Sequence, residues 1–187
     1  MEKFRQPVTE EPEALETVPA PQLGFIGTVA PPVDFSTIET VAKRKPEWSF
    51  VFIGPTTQFA RLQDLRNLNN VYFLGPVDHD ELPAYCQFFD LGLIPYERTE
   101  FTEYTFPSKL AEYLASGIPV ISSDIPEMRH YNEVIGIYND SSSFIRASQT
   151  EMRKTTETDV RERQDVAQRL SWKSIVRRMS DTIQERL

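Results

Sequence analysis

Cysteine, histidine and long apolar runs are scarce in this chain, and each shortage removes a class of chemistry. The single cysteine, Cys86, cannot form an internal disulfide. With only His79 and His130 there is no histidine or cysteine cluster at zinc-ligand spacing, so no metal site and no redox centre is expected. No stretch approaches the roughly 18 apolar residues of a membrane span. The opening MEKFRQPVTEE lacks the basic start and apolar core of a secretory signal, so a cytoplasmic location is expected. Basic residues are also outnumbered, 20 against 28 acidic ones, for a formal net charge of -8. That charge repels phosphate backbones and excludes non-specific nucleic-acid binding. An anionic ligand would need local help from backbone dipoles.

Hydrophobic residues make up 40% and charged residues 26% of 187, the balance of a globular domain with a core of its own. The first 21 residues carry four prolines and five glutamates without apolar periodicity, and residues 1–22 read as an extended linker or tail. From there to residue 150 short β-branched and aromatic runs alternate with amphipathic stretches. The runs LGFIG (23–27), SFVFIG (49–54), VYFLG (71–75), LGLIP (91–95), PVIS (119–122) and VIGIY (134–138) are the strand candidates. The segments 35–45, 59–68, 80–88 and 107–116 are the helices between them, each near the length of a crossover. The pattern predicts an α/β fold, a doubly wound, mainly parallel, Rossmann-like sheet of six strands covered on both faces.

Three of the strand candidates end in glycine, at Gly27, Gly54 and Gly75. Glycine there permits close backbone approach at the carboxyl edge, where such sheets bind ligands, or simply lets the chain turn. Residues 151–187 form a charged helical segment. In it Ser171 caps a last helix whose Trp172, Ile175, Val176, Met179, Ile183 and Leu187 share one stripe. That stripe is expected to pack on the domain's own core, on a second domain, or in a homodimer.

The segment PSKLAEYLASGIP (107–119) joins structure to chemistry. Pro107 suits a first helical turn and Gly117 a helix stop. On a helical wheel Leu110, Ala111, Leu114 and Ala115 make the core face, with Ser108, Lys109, Glu112, Tyr113 and Ser116 opposite. Phe106 has no side-chain oxygen with which to cap the first turn, which leaves the N–H groups of Ser108, Lys109 and Leu110 for an outside acceptor unless Thr105 supplies a cap. Free N–H groups beside a lysine make an anion site suited to a diphosphate. Glu112, on the same face, is placed to accept two hydrogen bonds from a ribose diol. The plainer alternative is a surface Lys109–Glu112 pair, worth roughly 0.2–0.5 kcal/mol.

The runs GFIGTV followed by Asp34, KPEWSFVFIGP, NVYFLGPVDHDELPAYCQFFDLGLIPY, FPSKLAEYLASGIPVISSDIPE and SWKSIVRRM stand in a fixed order along the chain. In them the chain resembles the C-terminal, donor-binding domain of retaining GT-B glycosyltransferases of group 1, or family 4, and most of all a bacterial subset of teichuronic-acid-biosynthesis type. The resemblance implies a nucleotide-sugar donor, UDP- or GDP-linked, with no cofactor and no metal bridge to the diphosphate. It implies that Glu112 holds the ribose and that the turn Phe106–Pro107–Ser108–Lys109–Leu110 meets the diphosphate. Gly75, Pro76 and Val77 then meet the base, and Gly27 approaches the phosphates. The acceptor site and any catalytic proton acceptor would belong to an N-terminal domain, of the same protein or of a partner chain, whose membrane contacts would make the whole protein peripheral to the inner face. A nucleotide-sugar epimerase half and a non-catalytic binding module are the rival readings. The chain departs from many relatives in two ways. Tyr104 stands where they have a first glutamate eight positions before the second. The turn TVAPPVD replaces a stretch bearing their arginine and lysine, so Lys109 and the helix start carry more of the charge. Asp78, His79 and Asp80 read as a helix cap rather than a DxD metal motif, His130 as a surface or packing residue, and Cys86 as buried and inert.

Overall fold

The computed structural model describes residues 2–58, 61–104 and 108–184. Six strands form one sheet: β1 (Gln22–Ile26), β2 (Ser49–Ile53), β3 (Val71–Gly75), β4 (Leu91–Ile94), β5 (Val120–Ser123) and β6 (Gly136–Tyr138). Every pairing is parallel and the order is β3-β2-β1-β4-β5-β6. The direction of winding reverses between β1 and β4, so the chain leaves a crevice above their carboxyl ends.

The helices are α1 (Glu2–Arg5), α2 (Glu13–Glu16), α3 (Phe35–Arg44), α4 (Leu62–Arg66), α5 (Leu82–Phe88), α6 (Glu100–Glu103), α7 (Lys109–Ser116), α8 (Ser141–Glu151), α9 (Glu157–Arg169) and α10 (Trp172–Gln184), with a 3-10 turn at Pro126–Tyr131. Side chains alternate across the sheet, and both sides are apolar because both are covered. Phe25, Phe50, Phe52, Leu91 and Leu93 point to the side of α3, α4 and α8. Ile26, Val51, Ile53, Ile94 and Val120 point to the side of α5, α7 and α9. Only the edge strands β3 and β6 are partly exposed. Asp34 starts α3 by accepting from the Thr37 N–H at 2.9 Å, and Phe35, Ile38, Val41 and Ala42 bury the inner stripe.

The expected α/β sheet and its four helices are present, but the start of the chain and one further helix differ from what the sequence predicts. The first 22 residues are not an extended tail. Phe4, Leu15 and Val18 are buried in the core on the α7 side, and Gln87 binds the segment by donating to the carbonyls of Phe4 and Gln6 while accepting from the Val8 N–H. Isolated apolar residues among prolines and glutamates carry no periodicity, so their burial leaves no signature. Helix α8 was missed because its sequence, SSSFIRASQTE, is poor in helix formers; it forms on a reciprocal cap between Asp140 and Ser143, with Phe144 and Ile145 in the core. The last helix is present, yet Trp172 is 80% and Val176 58% exposed, so that part of the stripe is not packed on this domain. Leu187 and the side chains of Met179 and Ile183 lie outside the described residues.

Candidate functional site

The carboxyl ends of β1, β2 and β3 descend through three glycines with positive φ: Gly27 (138°), Gly54 (136°) and Gly75 (78°). The ladder continues through them, Gly27 N–H donating to Ile53 O and Gly54 N–H to Gly75 O, both at 2.8 Å. A Cβ on Gly54 would lie 2.2 Å from the Gly27 carbonyl oxygen, so Gly54 exists to let the two turns touch. A Cβ on Gly75 would meet nothing within 4 Å; there the backbone angle alone requires glycine. Gly27 differs from both. A Cβ there would lie 3.2 Å from Lys109 Cε and 3.3 Å from its Nζ, so the lysine rests on this turn.

Lys109 opens α7, and Ser108 before it makes no side-chain cap. The Lys109 ammonium donates to the Tyr96 hydroxyl and sits 5.2 Å from the centre of the Phe25 ring. Its charge is therefore fixed above the β1–β4 crevice. Glu112, half-buried one turn later, faces the same region; burial pushes its carboxyl above the usual carboxylate range, with the charges of His79 and Lys109 opposing the shift. Gly75, Pro76 and Val77 lead into the loop that carries His79, with Pro76 exposed and Val77 packed on the core. Of the residues expected at the donor site, Gly27 and Lys109 are in contact, and Glu112 lies within electrostatic reach of Lys109. Ser108 is exposed beside them, and the Leu110 side chain is buried in the core, so only its backbone faces outward chemistry. Phe106 and Pro107 lie outside the described residues.

Residues 20–151 match the family described as Glycosyl transferases group 1. The chain belongs to that family. A Bacillus subtilis (strain 168) protein bearing the name teichuronic acid biosynthesis glycosyltransferase TuaH is 41% identical over 106 residues, 56% of this chain and 27% of that protein. Among solved structures, Anabaena HepE in complex with UDP superposes with a TM-score of 0.69 at 17% identity, covering 88% of this chain and 49% of the other. Sucrose-phosphate synthase from Thermosynechococcus elongatus gives 0.68 at 19%, covering 88% and 45%. At that identity the likeness is one of fold, the GT-B type. This group 1 chain spans about a quarter of its curated relative and just under half of these structures.

Several residues of this group 1 glycosyl transferase chain lie elsewhere than the sequence suggests. Tyr113 does not share the outer face of α7; it is fully buried, accepting from the Ile26 N–H at 2.8 Å and donating to Gly24 O at 3.3 Å. Room for it comes from a glycine in the middle of β4, and a paired glycine in β1 makes room for Phe89. A Cβ on Gly92 would lie 2.9 Å from the Tyr113 ring, and one on Gly24, its partner across β1 and β4, would lie 2.0 Å from Phe89. The second-position glycines of LGFIG and LGLIP were the available signal. Tyr96, next to Lys109, was not foreseen at all; the aromatic after LIP was its only trace. Tyr104, at the place of the family's first glutamate, is 87% exposed.

No group of three or more His, Cys, Asp or Glu among the described residues is close enough to hold a metal ion. Asp80 pairs with Lys3 at 2.5 Å, and His79 lies 6.1 Å from the Phe4 ring. Neither Asp78 nor Asp80 caps α5, which begins after Glu81 without a side-chain cap. His130 is exposed, and Cys86 is buried with its thiol pushed far up by desolvation. A groove of about 380 Å³ bordered by Lys43, Glu47, Ser49 and Asn70 opens at the amino ends of β2 and β3, the opposite edge from the lysine. No helix among the described residues is long and apolar enough to cross a membrane.

Proposed function

We propose that this chain is the donor-binding half of a retaining glycosyltransferase that moves a sugar from a UDP- or GDP-sugar to a glycan or lipid-linked acceptor. One observation carries the reading: the Lys109 ammonium is held over Gly27 at the start of α7, with Glu112 one turn further along. A cation and a helix start aimed at one point attract a diphosphate and stabilise it as it leaves with negative charge. A carboxylate accepts and never donates when ionised, which matches the two hydroxyls of a ribose. HepE has been solved with UDP, with UDP and glucose, and with UDP-glucose, which supports a UDP-sugar for this chain too.

The acceptor site belongs, on this reading, to a further domain, so the 187 residues bind nucleotide and transfer nothing by themselves. Calorimetry with UDP and GDP tests it. The wild-type chain binds one of them, and Lys109→Ala and Glu112→Ala each weaken it at least about tenfold, near the loss of one charged hydrogen bond. Unchanged affinity in both variants sinks the assignment.

A further inference from the structure

We infer that Tyr96 is a second diphosphate ligand, its hydroxyl proton donated to the same anion that Lys109 faces; the inference rests on the donor-site reading above. Tyr96 follows β4, directly across the crevice from β1. The turn that carries it is held at three points. The Tyr96 N–H donates to Ser123 Oγ at 3.1 Å, the Asp34 N–H donates to Pro95 O at 2.7 Å, and the Glu97 N–H donates to Pro32 O at 2.7 Å. The ring meets Phe25 edge-on, 6.4 Å between centres and 89° between planes. The hydroxyl is therefore presented by a fixed ring on a fixed turn.

The direction of its bond to Lys109 decides what that hydroxyl can do. An ammonium has three donors and no lone pair, so Lys109 donates and the tyrosine oxygen accepts. The hydroxyl keeps its own proton, for which the described residues provide no acceptor. Accepting from a cation polarises the O–H and makes it a stronger donor. An oxygen-rich anion beside Lys109 thus meets two donors, one charged and one neutral.

The opposite wall explains why a second donor is needed. The turn after Gly27 reads Thr28-Val29-Ala30-Pro31-Pro32-Val33-Asp34, with no basic side chain and two prolines that have no N–H. The Val29 N–H is already given to Pro55 O and the Val33 N–H to Ala30 O. This wall offers a diphosphate no charged side chain and few N–H groups, and Tyr96 and Lys109 stand across the crevice from it.

The test is Tyr96→Phe, which keeps the ring and its packing and removes only the hydroxyl. Calorimetry of the 187-residue chain with UDP, and with uridine as the probe lacking phosphates, reads the contact; thermal unfolding confirms the fold. Tyr96→Phe is expected to weaken UDP about three- to tenfold and to leave uridine unchanged. UDP bound as tightly as by wild type overturns the inference, and so does an equal loss for uridine, which would put the contact on the nucleoside. If Lys109→Met still weakens UDP in either case, the donor-site reading stands and only the role of Tyr96 falls. A wild-type chain that binds neither UDP nor GDP overturns both.

Discussion

The two ends of α7 are built on opposite principles. At its start Lys109 and Glu112 face a crevice, Ser108 caps nothing, and a carboxyl is held half-buried against its own preference for water. At its end the chain turns at Gly117 in the left-handed conformation, and the carbonyls there are met by α9. Arg163, 2% exposed, donates to Gly117 O at 2.9 Å and to Lys154 O, while Gln164 donates to Ala115 O at 3.3 Å. One eight-residue helix thus has an end whose carbonyls are met by buried donors and an end whose charged side chains face the crevice. Charged groups held in place before a ligand arrives are what a ligand can reward.

The largest expected effect breaks the satisfied end. Arg163→Ala leaves the Gly117 and Lys154 carbonyls without their buried donor and should cost about 3 kcal/mol. In thermal unfolding that lowers the midpoint by about 6–12 °C for a chain of this size. Nucleotide affinity should stay within about twofold in calorimetry. A variant that loses affinity as well would show that the two ends are coupled, and the contrast would fail.

A smaller effect tests the middle of the same helix. Tyr113→Phe strands the Ile26 N–H in the core and is expected to lower stability by about 1–2 kcal/mol in denaturant unfolding. A change near zero would mean that the Ile26 N–H finds another acceptor.

The smallest effect sharpens the crevice end, and its sign is reversed. Burial raises the Glu112 carboxyl above its unfolded value, so the folded state binds a proton more readily than the unfolded one. Stability contributed at this position is present at low pH and is lost as pH rises from the unfolded value through the raised folded one. Glu112→Gln should therefore melt higher than wild type at pH 7, with the gain disappearing as pH falls through that window. Melting curves from pH 4 to 8 check it; a glutamine variant less stable at pH 7 would reverse the description of this end.

How much of this was readable beforehand depends on whether a feature repeats locally. The strands were legible because consecutive β-branched and aromatic residues buried on both faces leave runs such as SFVFI, and α3 because Phe35, Ile38, Val41 and Ala42 keep helical spacing behind an Asp34 cap. Lys109 and Glu112 were legible as a pair, since residues three apart share a helix face. Phe4 and Leu15 were not, because single apolar residues in a proline-rich stretch have no period. Tyr113 was misplaced because α7 is enclosed by the sheet, α5 and α9 over a wider arc than one surface stripe. Trp172 and Val176 keep the expected stripe, and of the covers open to it the domain's own core is not the one used.

By itself the amino-acid sequence determined the six strands, their alternation with helices, the glycine turns and the charges at the start of α7, all consequences of propensity and spacing within about ten residues. Tertiary structure alone decided which of those charges share a site. Tyr96 reaches Lys109 because β4 lies beside β1, and Lys109 rests on Gly27, 82 positions earlier, because the sheet reverses its winding between those strands. Such neighbours are chosen by which apolar faces can be buried together, and that choice belongs to the whole chain rather than to any segment of it.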